Sequence, residues 1–471
     1  MSWRDALEPT RMDRIAVVAP ADRLRDALVT VADLGLTEPE RLLDPVPAPA
    51  ASTLEQVRRT ASPGQVPGPV AVLHRRPPDL ADLARRGRLD ELAGEAELEQ
   101  VAAAAVLDGR VAGIAAWSPT RAVEVLADRL RPVGAAVVRL PPPAGVDPPT
   151  LLAGVGAAGA FQPLVDTYVT VPYADVNPSV FAGVAYVAMF GMMFGDVGHG
   201  LLLTAAGLLV WAGRPVSLAR FRWVAPFVIG AGLASAAFGL LFGEAFGPTG
   251  LVPTLWLAPL DRPASLLAAA VAIGAVLLAV AYGLGTANRW REGGAARALL
   301  ALAGLAGSAL YVGLALAGLG WYLHLVGLTV AGGVLAGAGL LFGFAGLYGE
   351  SGHGVAGVAQ AGVELFDTVV RLGANTVSFA RLAAFGLTHA ALGQVVWDGT
   401  TALWHRGPLL WLPAAVVLVA GNALAFTLEA LVAGVQALRL EYYELFSRIF
   451  TSQGRAFRPW HVPTLVPKER P

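Results

Sequence analysis

The sequence predicts an α-helical polytopic membrane protein with about eight transmembrane helices, the last two long and tilted, and an N-terminal cytoplasmic α/β domain. Three observations support this fold class. Hydrophobic residues make up 55% of the 471 residues and charged residues only 15%, with a mean hydropathy of +0.58, a composition typical of membrane proteins. Most of the charges precede residue 175, and long apolar runs begin after Pro178. The 55 glycines suit helices that approach one another closely in a membrane.

Composition also excludes several classes of function. The chain has no cysteine, so disulfides, thiolate metal sites and cysteine nucleophiles are excluded. Its only lysine is Lys468. A phosphate-binding P-loop needs a lysine within a Gly-rich turn, so any ATP chemistry must belong to another subunit and we expect no enzyme activity from this chain alone. The net charge of −1 gives no reason to expect a nucleic-acid partner, and no pattern indicates a cofactor.

The first 150 residues are expected to form the α/β domain. Strands are predicted at 13–19, 70–74, 110–117 and 135–140, and helices at 21–35 and 119–131. The charged stretch 78–106 is either one surface helix or a coiled-coil arm. Proline clusters at 141–143 and 148–149 indicate that the chain leaves this domain there. We therefore expect a domain at 1–150, a linker at 151–178, a transmembrane domain at 179–455 and a cytoplasmic tail at 456–471.

Eight apolar runs follow the linker, and a membrane crossing needs about 20 apolar residues. The first two are short, and the last two exceed one crossing, which implies tilt or a protruding end. The runs lie at 179–194, 197–213, 223–243, 265–288, 298–318, 322–348, 364–397 and 409–450.

Basic residues predict the orientation of these runs. Arginines follow the second, fourth and eighth runs, whereas the loops after the third and fifth runs are poor in them. Because cytoplasmic loops carry the excess of Lys and Arg, both termini are expected in the cytoplasm. His405 and Arg406 after the seventh run are a mild signal against this orientation. Glu244, Glu350, Glu364 and Asp367 flank the runs and are expected at the membrane interface.

Arg381 is the most informative residue, because it lies inside the seventh apolar run. A guanidinium costs roughly 2.5–3.5 kcal/mol at the bilayer centre and keeps its proton. It therefore needs a partner charge or a water-filled cavity. On a continuous helix Ser378, Arg381 and His389 would share one face, with Arg381 and His389 about 12 Å apart along the axis.

The eighth run carries a second polar set. Glu429 and Gln436 are seven residues apart and would share a face, and Arg439 would lie about 15 Å along the axis from Glu429. Glu441 follows two residues later. Glu429 fits either a proton path or a helix–helix hydrogen bond, and His389 fits either a proton path or a packing role.

A third polar set lies in the glycine-rich connection between the first two runs, Phe190-Gly-Met-Met-Phe-Gly-Asp-Val-Gly-His-Gly200. Asp196 and His199 are three residues apart and could pair. They fit a turn-stabilising pair at the membrane surface, or a role in ion access.

Together these residues predict proton chemistry that this chain cannot complete. Arginine is a poor proton carrier, but it can hold a facing carboxylate deprotonated. Glu429 and His389 are titratable and could relay protons in aqueous half-paths. A mobile carboxylate that passes Arg381 could load from one path and unload to the other. No residue of this chain is an obvious mobile carrier, so we infer that a partner subunit provides it.

These motifs resemble the a subunit (subunit I) of V-type and A-type rotary ATPases. The hairpin at 190–200, the Arg381 segment with His389 eight residues later, and the segment Ala437-Leu-Arg439-Leu-Glu-Tyr-Tyr-Glu444 match that family's hairpin, seventh and eighth transmembrane helices. The resemblance covers most of residues 165–455. It implies that Arg381 is the essential arginine, that Arg439 is the second one, and that Glu429 and His389 occupy half-channel positions.

The resemblance also implies partners. They are a proteolipid c-ring with a carboxylate carrier, peripheral stalk subunits bound by the α/β domain, a central-stalk cap subunit, the soluble ATPase sector and membrane lipid. The cytoplasmic part is short for the family, which leaves the length of the stalk arm open. The direction of ATP turnover and the choice between proton and sodium also stay open. The cell membrane is the expected location, and one lysine beside many arginines suggests a GC-rich bacterial source.

A second hypothesis is a self-contained, proton-coupled secondary transporter. That class is expected to show two related halves with broken helices at mid-membrane, whereas the ionisable residues here are concentrated in the last two runs. A membrane scaffold without transport is a third hypothesis, but it gives no reason for Arg381, Glu429 and Arg439 at depth.

Overall fold

Two units make up the chain in a computed structural model, which describes residues 8–40, 49–60, 71–152, 156–214, 216–351, 354–450 and 454–465. The first, which we call the sheet unit, is Pro9–Leu151 with Gly454–Pro471. The second, the helical unit, is Met1–Glu8 with Leu152–Gln453.

The sheet unit is built on an antiparallel sheet with helices. Its strand order is β2-β4-β1-β5, with β3 paired to β4, an arrangement of two split β-α-β units. The elements are β1 (Met12–Pro20), α1 (Leu24–Leu34), β2 (Glu38–Pro39), α2 (Pro49–Thr60), α3 (Leu80–Arg85), α4 (Leu89–Ala103), β3 (Val106–Asp108), β4 (Val111–Pro119), α5 (Val123–Leu130) and β5 (Ala136–Leu140).

Alternation along β1 creates the core of this unit. Ile15, Val17 and Ala19 are buried on one face of the strand, as the two-residue period of a half-buried strand requires. Leu28 of α1 and Leu126 of α5 belong to the same core cluster. The sheet is therefore covered by helices on this face.

The sheet unit departs from the predicted elements in two places. The stretch 78–106 is neither one helix nor a coiled-coil arm, because Gly87 has a φ of +65° between α3 and α4, a left-handed conformation that interrupts a helix. The predicted strand 70–74 is wrong in its described part, where Leu73 makes a single bridge to Thr464. Val70 lies outside the described residues.

The C-terminal segment belongs to the sheet unit. The backbone N–H of Trp460 donates to Thr37 O at 2.8 Å, and that of Val462 donates to Ala32 O at 3.1 Å. Val462 is buried in the core cluster. Residues 456–465 are thus an ordered part of this unit rather than a separate tail, because the apolar Trp460 and Val462 find a core there. Residues 466–471 lie outside the described part.

The helical unit contains the apolar runs. It has α6 (Gly156–Tyr168), α7 (Ser179–Met193), α8 (Val197–Trp211), α9 (Ala225–Phe242), α10 (Pro263–Leu300), α11 (Leu305–Tyr322), α12 (Val326–Glu350), α13 (Val355–Ser378), α14 (Ala380–Trp404), α15 (Trp411–Leu440) and α16 (Ser447–Ile449). Helix α10 is kinked at Gly293 and Gly294, whose dihedral angles are not helical. Helix α6 lies in the segment expected to be a linker, where Phe161 contacts Gly183 of α7 closely.

Six helical stretches among the described residues are long and apolar enough to cross a membrane. Helices α7 and α8 are apolar but have 15 residues each, which is about 22 Å of helix against about 30 Å of hydrocarbon. The length and composition of these helices are those of a multi-spanning membrane protein, and the count of eight crossings stays a prediction.

The seventh apolar run is not one continuous helix. Helix α13 ends at Ser378 and α14 begins at Ala380, with the fully buried Phe379 between them. Gly274 of α10 gives Phe379 its space, because a Cβ at residue 274 would lie 2.1 Å from the Phe379 ring. Phe379 keeps right-handed helical dihedral angles, so α13 and α14 form one helical stretch that is interrupted at a single residue, and Arg381 lies in the first turn of α14. The shared face of Ser378, Arg381 and His389 stays a prediction, although Ser378 and Arg381 are in contact.

Glycines allow a close contact between helices α11 and α12 of this unit. A Cβ at Gly332 would lie 2.3 Å from Ala317 N and 2.7 Å from Gly313 O. The neighbouring Gly333 faces open space. Small residues allow this approach of the backbones in a membrane, where burial of apolar surface gives no driving force.

A buried polar group lies in the loop before α7. Val176 N donates to Asn288 Oδ1 at 2.9 Å, and Asn288 Nδ2 donates to Ile449 O at 3.2 Å, so α10 connects this loop to α16. Asp175 in the same loop is fully buried. Burial, and then the nearby Glu292 carboxylate, raise the pKa of Asp175 to about 7.

We predict that Gly332→Ala lowers the stability of the protein, whereas Gly333→Ala does not. The added methyl at residue 332 must push apart two backbones, and such overpacking costs about 1–3 kcal/mol. Alanine also favours a helix over glycine by about 1 kcal/mol, which the Gly333 variant gains without a clash. Thermal unfolding of the detergent-purified variants measures the difference. Equal melting temperatures would contradict the close contact.

We predict that Asp175→Asn makes stability less dependent on pH. The folded-state pKa of Asp175 is raised above its unfolded value of 3.8, so its stabilising contribution is complete below about pH 4 and is lost as the pH rises through about 7. The wild type should therefore lose melting temperature between pH 5 and pH 8, and Asp175→Asn should lose less. Asp261→Asn, at an exposed position, is the matched control and should follow the wild type.

Candidate functional site

Asp196 of the hairpin holds three parts of the helical unit together. Its Oδ1 accepts a hydrogen bond from His199 N at 2.8 Å, which caps α8, and its Oδ2 accepts from Gly247 N at 3.0 Å. The imidazole Nδ1 of His199 lies 3.8 Å from Asp196 Oδ1. Both residues are buried. The hairpin carboxylate therefore caps the N-terminus of α8 and fixes the loop after α9 at the same time.

His389 and Glu429 form a side-chain pair between α14 and α15. Nδ1 of His389 contacts Oε2 of Glu429. The side chains are 6% and 13% exposed, respectively. A buried pair of this kind is strongly destabilised when one partner is lost, because the other is left without compensation.

The hairpin and this pair meet in one place. The imidazole rings of His199 and His389 lie 5.6 Å apart between centroids, at an interplanar angle of 70°. Phe194 contacts both, at 5.6 Å from His199 and 4.9 Å from His389. Two polar sets that are almost 200 residues apart in the chain thus become one buried cluster.

Glu244 also belongs to this neighbourhood. It was expected at the membrane interface, but only 6% of it is exposed. Val197 N donates to its backbone carbonyl at 2.9 Å, which places it beside the hairpin. Its carboxylate interacts electrostatically with His389, Asp196 and Glu429. Its expected position at the membrane interface stays a prediction, because burial among helices does not fix a residue's depth in a membrane.

Arg381 occupies a different part of the unit. Its Nη2 donates to Ser378 Oγ at 3.2 Å across the α13–α14 break. The nearest charges are those of Arg439 and Glu444, and Arg381 forms no ion pair among the described residues. It lines a groove of about 450 Å³ between α10 and α14. The other residues of this groove are small or apolar: Pro263, Ala264, Leu267, Ala380, Ala383, Ala384 and Leu387.

The remaining predicted residues of α15 divide between two faces. Arg439 is exposed, whereas Glu441 is fully buried at the start of a π-helical turn, Glu441–Phe446. Both Glu441 oxygens and Gln436 Oε1 are buried without a hydrogen-bond partner in the described part of the chain. Tyr186 and Tyr442 are neighbours of Glu441. The structure therefore does not bring Glu441 to the Arg439 face.

A polar contact beyond the C-terminal end of α15, which is the end predicted to face the cytoplasm, could not be expected from the sequence. With its amide oriented to satisfy both neighbours, Asn375 donates to Glu444 Oε2 at 3.0 Å and accepts from Arg448. Arg448 also lies 5.8 Å from the centroid of the Tyr282 ring. This network joins α13 to the chain beyond α15. No periodicity in the sequence reveals it, because its members come from separate helices.

Comparisons with known proteins relate this chain to one family. The model of the V-type ATPase 116kDa subunit family matches residues 109–219, which include the hairpin. The A-type ATP synthase subunit I of Aeropyrum pernix is 30% identical over 68% of this chain and 52% of its own length. The subunit I proteins of Pyrococcus horikoshii and Halobacterium salinarum are each 26% identical, over 74% and 66% of this chain and 53% and 51% of theirs.

The chain belongs to the V/A-type ATPase subunit I family. It spans about half the length of the curated relatives it matches. Its apolar helices agree with a multi-pass membrane subunit of that family. The expectation of a bacterial source is not borne out, because these subunit I relatives are archaeal. A low lysine content indicates a GC-rich genome, and such genomes occur in both bacteria and archaea.

For this subunit I relative we predict that His389→Gln and Glu429→Gln destabilise the fold non-additively. Each single change replaces one titratable group with a neutral amide and leaves the other buried without an opposite charge, at a cost of up to about 3–5 kcal/mol, whereas the double variant removes both titratable groups. Its loss in melting temperature should be smaller than the sum of the single losses.

The matched control is the exposed Gln394–Asp398 pair on α14, joined by a hydrogen bond of 2.8 Å. Gln394→Ala and Asp398→Asn should have small, additive effects. Additivity at His389 and Glu429 as well would mean that the two side chains do not interact.

Proposed function

We propose that this chain is the stator membrane subunit of a V/A-type rotary ATPase. It forms two aqueous proton half-channels against a proteolipid c-ring, and it couples proton translocation to ATP hydrolysis or synthesis by other subunits. The observation that carries the proposal is Arg381, a charged residue of an apolar segment that forms no ion pair among the described residues.

The chemistry of Arg381 requires an anion from outside the chain. A guanidinium cannot relieve its burial by losing its proton, and Ser378 offers it only a neutral oxygen. The nearby Arg439 adds a second positive charge. Glu444 is the nearby acid, but its carboxylate already accepts from Asn375. A carboxylate carried past on a partner helix would lower the energy of both cations.

The groove around Arg381 suits such a helix. Ala380, Ala383 and Ala384 line it beside the guanidinium, and small side chains let a second helix approach closely in a membrane. The lining residues offer no carboxylate. A ring helix that lies here would bring its own acid to Arg381 and would exchange its proton on either side of that charge.

The buried cluster supplies one half-channel in this proposal. His389 and Glu429 are in contact, and His199, Asp196 and Glu244 adjoin them. Histidine and carboxylate pairs pass protons because one partner can release what the other accepts. The path would lead toward Arg381, which lies about 12 Å further along α14.

The other half-channel would use Gln436 and Glu441, whereas Ser378 and Arg439 would act beside Arg381. Gln436 and Glu441 have buried side-chain oxygens without partners among the described residues, and buried polar groups are normally satisfied by protein or water. Water in a half-channel would satisfy them. The π-helical turn at Glu441 is a feature that is frequent at functional sites.

The sheet unit is the proposed attachment for peripheral stalk subunits. It forms a body distinct from the apolar helices, as a part that resists torque outside the membrane requires. The cell membrane is the proposed location, with both termini in the cytoplasm, where a central-stalk cap subunit and the soluble ATPase sector would assemble. The direction of ATP turnover depends on that assembly.

Purification under mild conditions tests the assignment. A tagged chain should be recovered with a proteolipid ring and with nucleotide-binding subunits. Recovery of the chain alone as an active transporter would support a self-contained secondary transporter instead.

We predict that Arg381→Ala abolishes ATP-driven proton transport in membrane vesicles while the complex still assembles. The fixed charge is needed to force the ring carboxylate to release its proton, and alanine leaves no cation. Arg381→Lys should also be poor, since a buried lysine can lose its proton. A pH-sensitive dye measures transport, and native gels measure assembly.

Arg406→Ala is the matched control, because Arg406 is an exposed arginine after α14. It should retain normal transport. Full coupled transport by Arg381→Ala would refute the role of Arg381.

A further inference from the structure

The cluster of Asp196, His199 and His389, which we call the Asp–His–His cluster, has the composition of a metal site. One ligand atom from each residue lies within 4.8 Å of the other two, and all three residues are buried. Asp196 and His199 are three residues apart in the hairpin and at the start of α8, and the fold brings His389 of α14 to them. A carboxylate oxygen and two imidazole nitrogens are a ligand set that suits zinc.

We propose that the Asp–His–His cluster binds a Zn²⁺ ion. A tetrahedral Zn²⁺ with bonds of about 2.1 Å places its ligand atoms about 3.4 Å apart. The cluster therefore has to contract by roughly 1 Å, which rotation of the two imidazole rings supplies. Asp196 need not move, because its two oxygens are already fixed by His199 N and Gly247 N.

The state of His199 is the second observation. Its side chain is 3% exposed, and neither ring nitrogen completes a hydrogen bond of normal geometry among the described residues, although Asn422 is a neighbour. Buried polar atoms are rarely left in this way, and each one costs free energy. A metal ion would bind one of these nitrogens and remove that cost.

His389 is arranged as a metal ligand usually is. Its Nδ1 contacts the Glu429 carboxylate, which leaves Nε2 for an ion. Metal-bound histidines almost always give their other nitrogen to a carboxylate, a carbonyl or water, and this contact orients the ring. Glu429 thus positions His389 without binding the ion itself.

The ligand chemistry selects among metals. Mg²⁺ and Ca²⁺ prefer sites made of oxygen atoms, whereas imidazole suits zinc and its transition-metal neighbours. A cavity of about 590 Å³ opens onto His199 and gives an ion a way in. Thr249, Asn422 and Thr427 are the polar residues of its otherwise apolar lining.

Binding can be measured on the full chain alone, purified in detergent through a tag without histidines and stripped with EDTA. Zn²⁺ should bind tightly at one site, measured by competition with a chromophoric chelator, and millimolar Mg²⁺ should not displace it. His199→Gln should weaken binding by at least about tenfold. His405→Gln, at an exposed position, is the matched control and should bind Zn²⁺ as the wild type does.

A second measurement, on the wild type alone, tests the site even if the His199→Gln variant does not fold. Co²⁺ bound to the wild type should give the strong visible absorption of a tetrahedral site, and added Zn²⁺ should abolish it. The proposal is overturned if the wild type shows no tight site, or if folded His199→Gln binds Zn²⁺ equally well.

An inhibition experiment extends the inference and rests on the proposed function. In the intact complex, Zn²⁺ should block proton transport reversibly, because it occupies the nitrogens of His199 and His389, and EDTA should restore it. Tight binding without inhibition would leave the metal site standing and refute the proton path through His389. No tight binding, with transport still lost in Arg381→Ala, would refute the metal site and leave the proposed function intact.

Discussion

The fixed positive charge of Arg381 is the constraint on which the functional part of the molecule depends. The side chain cannot be neutralised by deprotonation, and in the described chain it has only Ser378 as a close partner. Its surroundings do not neutralise the charge. The other residues that line the groove are small or apolar, and a second cation, Arg439, is nearby. In the proposed function, an acid from a partner subunit completes this site. The neighbouring helices present the charge rather than bury it.

The buried polar cluster is possible because glycines let the backbones around it come close. A Cβ at Gly239 would lie 2.3 Å from Val197 N, so α9 lies directly against the start of α8. That contact brings Gly247 N to Asp196 and places Ser235 Oγ against the carbonyl of Phe194. Each hydrogen bond satisfies a group that would otherwise be expensive to bury. The close packing of α8 and α9 and the hydrogen bonds of the buried polar groups therefore depend on each other.

Much of the fold could be predicted from local pattern. The strand at 13–19, the apolar runs and the capping aspartate of the hairpin follow from periods and residue types that act over a few positions. The break at Phe379 could not be predicted, because neither a proline nor a glycine interrupts the run there. It depends on space provided by Gly274, more than a hundred residues earlier. The inward position of Glu244 and the place of the C-terminal segment in the sheet unit have the same kind of cause.

By itself, the sequence determined which chemical groups are present and that several of them lie in apolar segments, since residue type and hydropathy are local properties. Arg381, His389 and Glu429 were identifiable for that reason. Only the tertiary structure decided which groups meet. It joined His199 to His389, left Arg381 without an acid among the described residues, and turned Glu441 away from the exposed Arg439. These contacts connect helices that are distant in the chain, and their geometry is set by packing that no short stretch of sequence contains.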